Sequence, residues 1–145
     1  MALKVELKPG ERIILGESVI TNDKQRTRLF IEGNAPILRE KDILTAQTAD
    51  SPAKRVYFAI QLMYLGGDIS KLQKDYFALV MDIVRAAPSM LPIVDRINNA
   101  ILTGSLYKAL KEAKTLITHE KEIIDGATNS GFGTTPQADG GEPAA

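Results

Sequence analysis

The chain has 145 residues, with 18 Lys and Arg against 18 Asp and Glu, one histidine and no cysteine. This size suits one domain with a sizeable core, and the lack of cysteine excludes disulfides, thiolate metal sites and cysteine nucleophiles. The balanced charge excludes a global field that draws the molecule to nucleic acid or anionic lipid, so such binding requires a local patch.

The chain carries no sign of a membrane or secretory segment. Its apolar runs stay far below the roughly 20 residues that span a bilayer. The N-terminus alternates apolar and charged residues and so lacks the apolar stretch of a signal peptide. We expect a cytoplasmic protein with no membrane partner.

Residues 1–47 predict a small antiparallel β-module of about five short strands. Leu3, Val5 and Leu7 alternate with charged residues, which is the period-two pattern of a strand with one buried face. Pro9 and Gly10 then supply a turn. The later strands are predicted at 13–15, 19–21, 26–32 and 37–44, between segments rich in Gly, Asn and Pro.

Basic residues recur within these strands. Arg26 and Arg28 share a predicted face with Phe30, and Arg39 lies in the fifth predicted strand. The simplest interpretation is solvated or edge-protecting charge. The functional interpretation is RNA binding, because guanidinium groups beside an aromatic ring can contact phosphates and stack on unpaired bases. Residues 1–45 hold eight basic and seven acidic side chains, so this patch is only weakly positive.

Residues 48–124 predict four helices. The first follows an N-cap at Asp50 or Ser51, has Pro52 in its first turn and ends at two glycines. The others are predicted at about 70–86, at 90–102 starting near Pro92, and at 105–124. Residues 125–145 are poor in apolar side chains and predict a disordered tail. The whole is an α+β chain with a β-module, a helical bundle and a tail.

The sequence shows no catalytic constellation. His119 is the only histidine, and its neighbour Glu120 points elsewhere on a helix, which favours a solvated histidine over a general base. The glycines do not have the spacing of a nucleotide-binding loop, and no zinc or calcium motif occurs. We therefore predict a protein that is not an enzyme and has no cofactor or metal.

Several separated motifs resemble one protein family. They lie at 3–11, 38–43, 48–65, 107–110 and 116–117, and include Pro52-Ala53-Lys54-Arg55-Val56-Tyr57-Phe58 and Tyr107-Lys108-Ala109-Leu110. In this order they resemble the FlbT family of flagellum biosynthesis repressors, over roughly residues 2–124. The resemblance implies a post-transcriptional regulator that binds the 5′ untranslated region of flagellin mRNA and represses its translation or promotes its decay. It also implies FlaF as a partner that works in the opposite direction.

A second likeness concerns the β-module alone. Residues 8–16, Lys8-Pro9-Gly10-Glu11-Arg12-Ile13-Ile14-Leu15-Gly16, and the later stretch Asn34-Ala35-Pro36 followed by Arg39 are similar to the CsrA translational regulators. That likeness implies a homodimer and makes Lys8 and Arg39 RNA contacts. With the basic residues found above, the candidate RNA-binding set is Lys8, Arg12, Arg26, Arg28 and Arg39.

The alternative hypothesis is a protein-binding module that acts on flagellin, FlaF or the secretion machinery and affects the mRNA indirectly. The neutral overall charge and the apolar helices favour it, in particular residues 63–65 and 83–84.

Overall fold

The computed structural model describes residues 2–130, with side chains through residue 126. Its N-terminal part holds five short strands, which confirms the predicted β-module. They are β1 (Ala2–Leu7), β2 (Arg12–Leu15), β3 (Ser18–Thr21), β4 (Thr27–Glu32) and β5 (Ile37–Arg39).

The strands form two small antiparallel sheets. One sheet pairs β1 with β4, and the other has the order β3-β2-β5. A two-stranded sheet is only marginally stable alone. Here its inner side chains share a core with the second sheet, because Val5 and Leu7 of β1 pack with Ile13 of β2. The predicted alternation of buried and exposed residues along β1 and β4 is present from Val5 and Thr27 onward.

The fifth strand is shorter than predicted, since 37–44 was expected and β5 ends at Arg39. A 3₁₀ turn over Glu40–Asp42 follows, closed by the N–H of Ile43, which donates to the carbonyl of Glu40 at 3.2 Å. Ile13 is the β2 partner of Arg39, so Arg12 would be the next residue paired along the ladder. Its N–H donates instead to the Glu40 carboxylate at 2.6 Å. A side chain thus replaces the next ladder bond and ends the strand.

The turn after β1 is fixed by Gly10 and Asn22. Gly10 has φ of 75°, a backbone conformation that other residues rarely adopt. The side-chain amide of Asn22 donates to the carbonyl oxygens of Lys8 and Gln25, both at 2.8 Å. Asn22 therefore joins the turn after β1 to the loop before β4.

Four α-helices form the rest of the described chain, as predicted. They are α1 (Pro52–Tyr64), α2 (Ile69–Ala86), α3 (Leu91–Leu102) and α4 (Leu106–Ser130), with a 3₁₀ turn at Pro88–Met90 before α3. The Ser51 hydroxyl accepts from the N–H of Lys54 at 3.2 Å, so Ser51 is the N-cap of α1. Asp68 caps α2 in the same way.

The last helix is longer than predicted. The sequence placed its end at 124 and the start of a disordered tail at 125, but α4 continues to Ser130. Once a helix exists, each added residue gains one hydrogen bond, and the next proline after Pro92 is Pro136. The change to small polar residues was therefore too weak a stop signal. The rest of the predicted tail, 131–145, lies outside the described residues.

Helix α4 packs against α1 and α3, and α2 packs against α1. Three side chains of α1 join the helices to the segment after β4. The Tyr57 hydroxyl donates to the carbonyl of Asp42 at 2.7 Å, Gln61 bonds the main chain of Leu44, and the Tyr64 hydroxyl bonds the main chain of Ile37. The division into units at residues 47 and 48 stays a prediction. Within residues 2–130 no helix is long and apolar enough to cross a membrane.

Candidate nucleic-acid interface

The outer face of the β1–β4 sheet carries a mixed charged and aromatic surface. Strand pairing places Lys4 opposite Phe30 and Glu6 opposite Arg28. Phe30 is 68% exposed, so most of its ring is open to solvent beside Lys4. We call these four residues the ribbon face.

Arg26 and Arg28 lie together, as the sequence predicted. Arg26 immediately precedes β4, and the two arginines line a shallow depression of about 290 Å³ with Thr27 and Glu6. Arg28 forms an ion pair of 3.5 Å with Glu6, and both side chains are at least half exposed. Such a pair contributes little to stability, so Arg28 can exchange its partner at low cost.

Arg39 is held by the opposite sheet as well as by its own. Its Nη2 atom donates to the main-chain carbonyl of Glu6 at 2.8 Å and lies 3.5 Å from the Glu11 carboxylate. Its Nε atom is buried and has no hydrogen-bond partner within the described part of the chain. Arg39 therefore joins the two sheets and keeps one donor unused.

Lys8 and Arg12 are placed differently from the other candidates. The main-chain N–H of Lys8 donates to the Glu11 carboxylate at 2.8 Å, and this bond, with the guanidinium of Arg39, lowers the pKa of Glu11. The main-chain N–H of Lys8 and the guanidinium of Arg39 thus both contact the Glu11 carboxylate. Arg12 lies at the start of β2, where its main-chain N–H is bonded to the Glu40 carboxylate.

The five predicted residues therefore divide into groups linked by acidic residues. The Glu6 carboxylate pairs with Arg28 and its main-chain carbonyl accepts from Arg39, whereas the Glu11 carboxylate pairs with Arg39 and accepts from the main-chain N–H of Lys8. The two carboxylates thus neutralise Arg28 and Arg39 in part, and an RNA phosphate must compete with them. The RNA-binding role of the five residues stays a prediction.

The sequence analysis missed Lys4 as a member of this surface. Alternation along β1 did place Lys4 on the exposed side. Its position beside Phe30, however, depends on the register between β1 and β4, in which the paired residues lie 20 or more positions apart in the chain. No local signal gives that register.

His119 contacts two polar groups. Its Nε2 atom lies 3.2 Å from the Ser89 hydroxyl, and its Nδ1 atom lies 3.5 Å from the carboxylate of Glu122. Glu122, one helical turn further on, is the acidic neighbour rather than Glu120, whose carboxylate instead accepts from the N–H of Ala53 at 2.9 Å. Glu122 is 70% exposed, so water screens its charge. The contact with Ser89 links the turn before α3 to α4.

The fold and this surface define a class of protein: a small α+β chain in which a two-stranded ribbon presents basic and aromatic side chains beside a helical bundle. The profile of the family described as Flagellar protein FlbT matches residues 3–124. The chain belongs to the FlbT family, and the resemblance found in its sequence is confirmed.

Individual relatives agree with this assignment. The chain is 60% identical over 124 residues to the probable flagellum biosynthesis repressor protein FlbT 1 of Bradyrhizobium diazoefficiens, with 85% of each chain covered. It is 51% identical to the probable repressor of Rhodopseudomonas palustris strain TIE-1, covering 86% of this chain and 98% of the relative. It is 34% identical to the flagellum biosynthesis repressor protein FlbT of Caulobacter vibrioides, covering 90% and 94%. No solved structure gives a significant match.

Proposed function

We propose that this protein is a cytoplasmic post-transcriptional regulator that binds the 5′ untranslated region of flagellin mRNA and represses its translation or promotes its decay. The names of its relatives, flagellum biosynthesis repressors, support the regulatory part. The observation that supports the RNA contact is the ribbon face, where Arg28 and the exposed ring of Phe30 lie two residues apart on β4 and Phe30 is paired with Lys4.

The chemistry of the ribbon face suits single-stranded RNA. Arginine meets phosphate oxygens with several donors at once, and an exposed aromatic ring stacks on an unpaired base. Stacking contributes affinity with little sequence preference, whereas the cations give the affinity its dependence on salt. The exposed Glu6–Arg28 pair is weak enough for a phosphate to replace the carboxylate.

A protein can repress translation by binding the 5′ untranslated region of an mRNA at the right place, and this requires no reaction. We therefore propose that the protein acts without catalysis. Ser89, His119 and Glu122 form the one serine–histidine–carboxylate arrangement that the hydrogen bonds and ion pairs of residues 2–126 show. A catalytic histidine requires a carboxylate held and shielded from water. The exposure of Glu122 does not fit that requirement.

The chain offers a matched pair of variants to test this proposal. On the ribbon face, Arg28→Gln with Phe30→Ser removes one paired arginine and one exposed phenylalanine. On α2, Arg85→Gln with Phe77→Ser removes the same residue types, because Arg85 pairs with Asp82 at 3.7 Å and Phe77 is 46% exposed. The measurement is fluorescence anisotropy with labelled flagellin leader RNA at fixed salt.

We expect the ribbon-face variant to lose at least tenfold in affinity while the α2 variant binds like the wild type, since only the former removes a phosphate contact and a stacking ring. Circular dichroism of both variants confirms that each is folded. Equal affinity of the two variants, or no binding of the leader by the wild type, would refute direct RNA contact through this face.

The second candidate is a protein-binding module that acts on FlaF, flagellin or the secretion machinery. Of the residues in which the sequence suggested it, Met63 and Ile83 are buried in the helical core, whereas Val84 lines an apolar groove of about 380 Å³. Phe77 and Met81 of α2 and Leu91 of α3 are exposed and line the same groove.

The same two variants separate the two candidates. If the groove binds a protein, the α2 variant loses co-purification of FlaF or flagellin after nuclease treatment, and the ribbon-face variant keeps it. Loss of RNA binding by the ribbon-face variant alone supports the first candidate. In that case the groove does not contribute to RNA binding.

We further propose that the chain forms a homodimer, as the likeness of its β-module to CsrA suggests. Light scattering after size exclusion should then give a mass of about twice 15.8 kDa. A mass near 15.8 kDa at micromolar concentration contradicts the dimer but leaves RNA binding possible.

A further inference from the structure

A cavity of about 350 Å³ opens between the β-module and the helices. Strands β1 and β5 supply apolar side chains to its lining. The polar and aromatic side chains around it come from both halves of the chain and are Lys4, Arg39, Asp42, Tyr64 and Tyr107. Of these five side chains, Tyr64 alone also packs against a hydrophobic core of the described residues.

Two aromatic rings lie together at the cavity. The ring centroids of Tyr64 and Tyr107 lie 5.8 Å apart, with the planes tilted by 45°. Tyr64 is fixed, because its hydroxyl bonds the main-chain N–H and carbonyl of Ile37 at 3.1 and 3.2 Å. Tyr107 is 48% exposed, so part of its ring is open to solvent, and the Nζ atom of Lys111 lies over one face of the ring, 5.1 Å from its centroid.

The polar groups offer both a donor and an acceptor. The Nε–H of Arg39 is buried and has no acceptor within residues 2–126. A buried donor without a partner is costly, and a ligand acceptor that reaches Nε–H when the Arg39 side chain turns toward the cavity removes that cost. The Asp42 side chain is only 13% exposed; its Oδ1 atom is paired with Lys114, and Oδ2 is in no hydrogen bond in the described part of the chain. The free oxygen can accept from an amino group.

We propose that this cavity receives one unpaired nucleobase that carries an exocyclic amino group, from a single-stranded RNA. A base of this kind has ring acceptors for Arg39 and an amino group for Asp42, and its plane stacks on Tyr107. Lys4 at the cavity is placed for the phosphate of the same nucleotide. This inference rests on the proposed RNA-binding function and adds to it a site that gives base preference.

Uracil provides the sharpest contrast, because it has no amino group. The test compares the affinities of twelve-residue oligo(A), oligo(C) and oligo(U) by anisotropy for the wild type and for Tyr107→Ala. We expect oligo(A) and oligo(C) to bind roughly tenfold tighter than oligo(U), and Tyr107→Ala to remove most of that preference. Tyr107→Phe retains the ring and should retain the preference.

An NMR measurement tests whether the base preference arises at the cavity. The Arg39 Nε–H should give a resolved signal in a ¹H–¹⁵N NMR spectrum, and the variant Arg39→Lys identifies it by its disappearance. We expect this signal to move downfield on addition of oligo(A), because Nε–H gains an acceptor, and to stay in place with oligo(U).

The possible outcomes separate this inference from the proposed function. If all three oligomers bind equally, and Tyr107→Ala changes none of them, the cavity is not a base site, and RNA binding by the ribbon face still stands. If no oligomer and no leader RNA binds the wild type, the proposed function and the base site both fail. A preference that Tyr107→Ala leaves intact also overturns the site, since the discrimination then arises elsewhere.

Discussion

The side-chain amide of Gln61 forms two hydrogen bonds with the main chain of Leu44. Its Oε1 atom accepts from the N–H and its Nε2 atom donates to the carbonyl, both at 2.9 Å. Gln61 is only 3% exposed and is the buried polar side chain of the helical core. The amide therefore takes the place that a neighbouring strand would occupy and holds the segment after β5 against α1.

The first prediction concerns this pair. Gln61→Leu keeps the volume and the apolar packing but leaves the N–H and carbonyl of Leu44 without partners, so we expect a loss of about 2–4 kcal/mol in unfolding free energy. Urea unfolding followed by circular dichroism measures the change. Gln47→Leu, at an exposed loop position, is the control and should stay within about 0.5 kcal/mol of the wild type. A Gln61→Leu protein as stable as this control would show that the pair adds nothing.

Gln61 also shows where reasoning from sequence stops. Periodicity of apolar residues and the breaks at Gly and Pro gave the order and approximate bounds of the strands and helices, because these signals are local. A glutamine in the same pattern indicates a solvated face, and only the distant Leu44 makes its burial favourable. The same holds for Arg39: its position in β5 was predictable, whereas its bond to the carbonyl of Glu6 depends on how the two sheets meet.

The second prediction concerns Asn22, whose amide joins the two loops of the β-module and accepts from the Thr27 hydroxyl at 2.8 Å. Asn22→Ala leaves the carbonyls of Lys8 and Gln25 without this donor, so we expect a loss of about 1–3 kcal/mol. The melting temperature, followed by circular dichroism, measures it. Asn34→Ala, at an exposed position before β5, is the comparison, and a fall no larger than that of Asn34→Ala would contradict the role of Asn22 as a link.

The third prediction follows from Glu11. The N–H of Lys8 and the guanidinium of Arg39 hold the pKa of Glu11 below its ordinary value of 4.5. A carboxyl whose pKa is lower in the folded state stabilises the fold above its unfolded-state pKa, and this contribution is lost as the pH falls through the folded-state value. We expect Glu11→Gln to be less stable than the wild type near neutral pH and equally stable in strong acid.

Urea unfolding of both proteins between about pH 7 and about pH 2 tests this dependence. Glu17→Gln is the control, because Glu17 is exposed and its carboxylate is in no ion pair among the described residues. A difference between Glu11→Gln and wild type that stays constant over the whole range would mean that the ionisation of Glu11 does not contribute.

The fourth prediction concerns two of the four tyrosines. Burial raises the pKa of Tyr57 well above its ordinary value of 10.0, with a further contribution from Asp42, and burial likewise raises the pKa of Tyr76. A tyrosine with a raised pKa stabilises the fold below the unfolded-state value, and this contribution is lost as the pH rises above it. We therefore expect both rings to ionise together with unfolding in alkali.

Absorbance at about 295 nm reports tyrosinate, and circular dichroism reports the fold over the same range. Tyr57→Phe should reduce the absorbance change that accompanies unfolding by about one tyrosine. Ionisation of Tyr57 while the far-ultraviolet spectrum remains native would contradict the burial that the structure gives it.

The last prediction concerns competition between Glu6 and RNA for Arg28. Because the carboxylate of Glu6 lies 3.5 Å from the Arg28 guanidinium, a phosphate that reaches Arg28 must displace it. Glu6→Gln removes the competing charge, and we expect it to strengthen leader RNA binding several-fold at low salt. Arg28→Gln should instead weaken binding and reduce the slope of log affinity against log salt by about 0.7, the value for one phosphate contact on a single strand.

Glu17→Gln is the control, because it makes the same change in net charge away from Arg28. If Glu17→Gln gains as much RNA affinity as Glu6→Gln, the effect is due to overall charge. If only Glu6→Gln gains RNA affinity, and the gain is absent in the double variant with Arg28→Gln, the phosphate contact lies at Arg28.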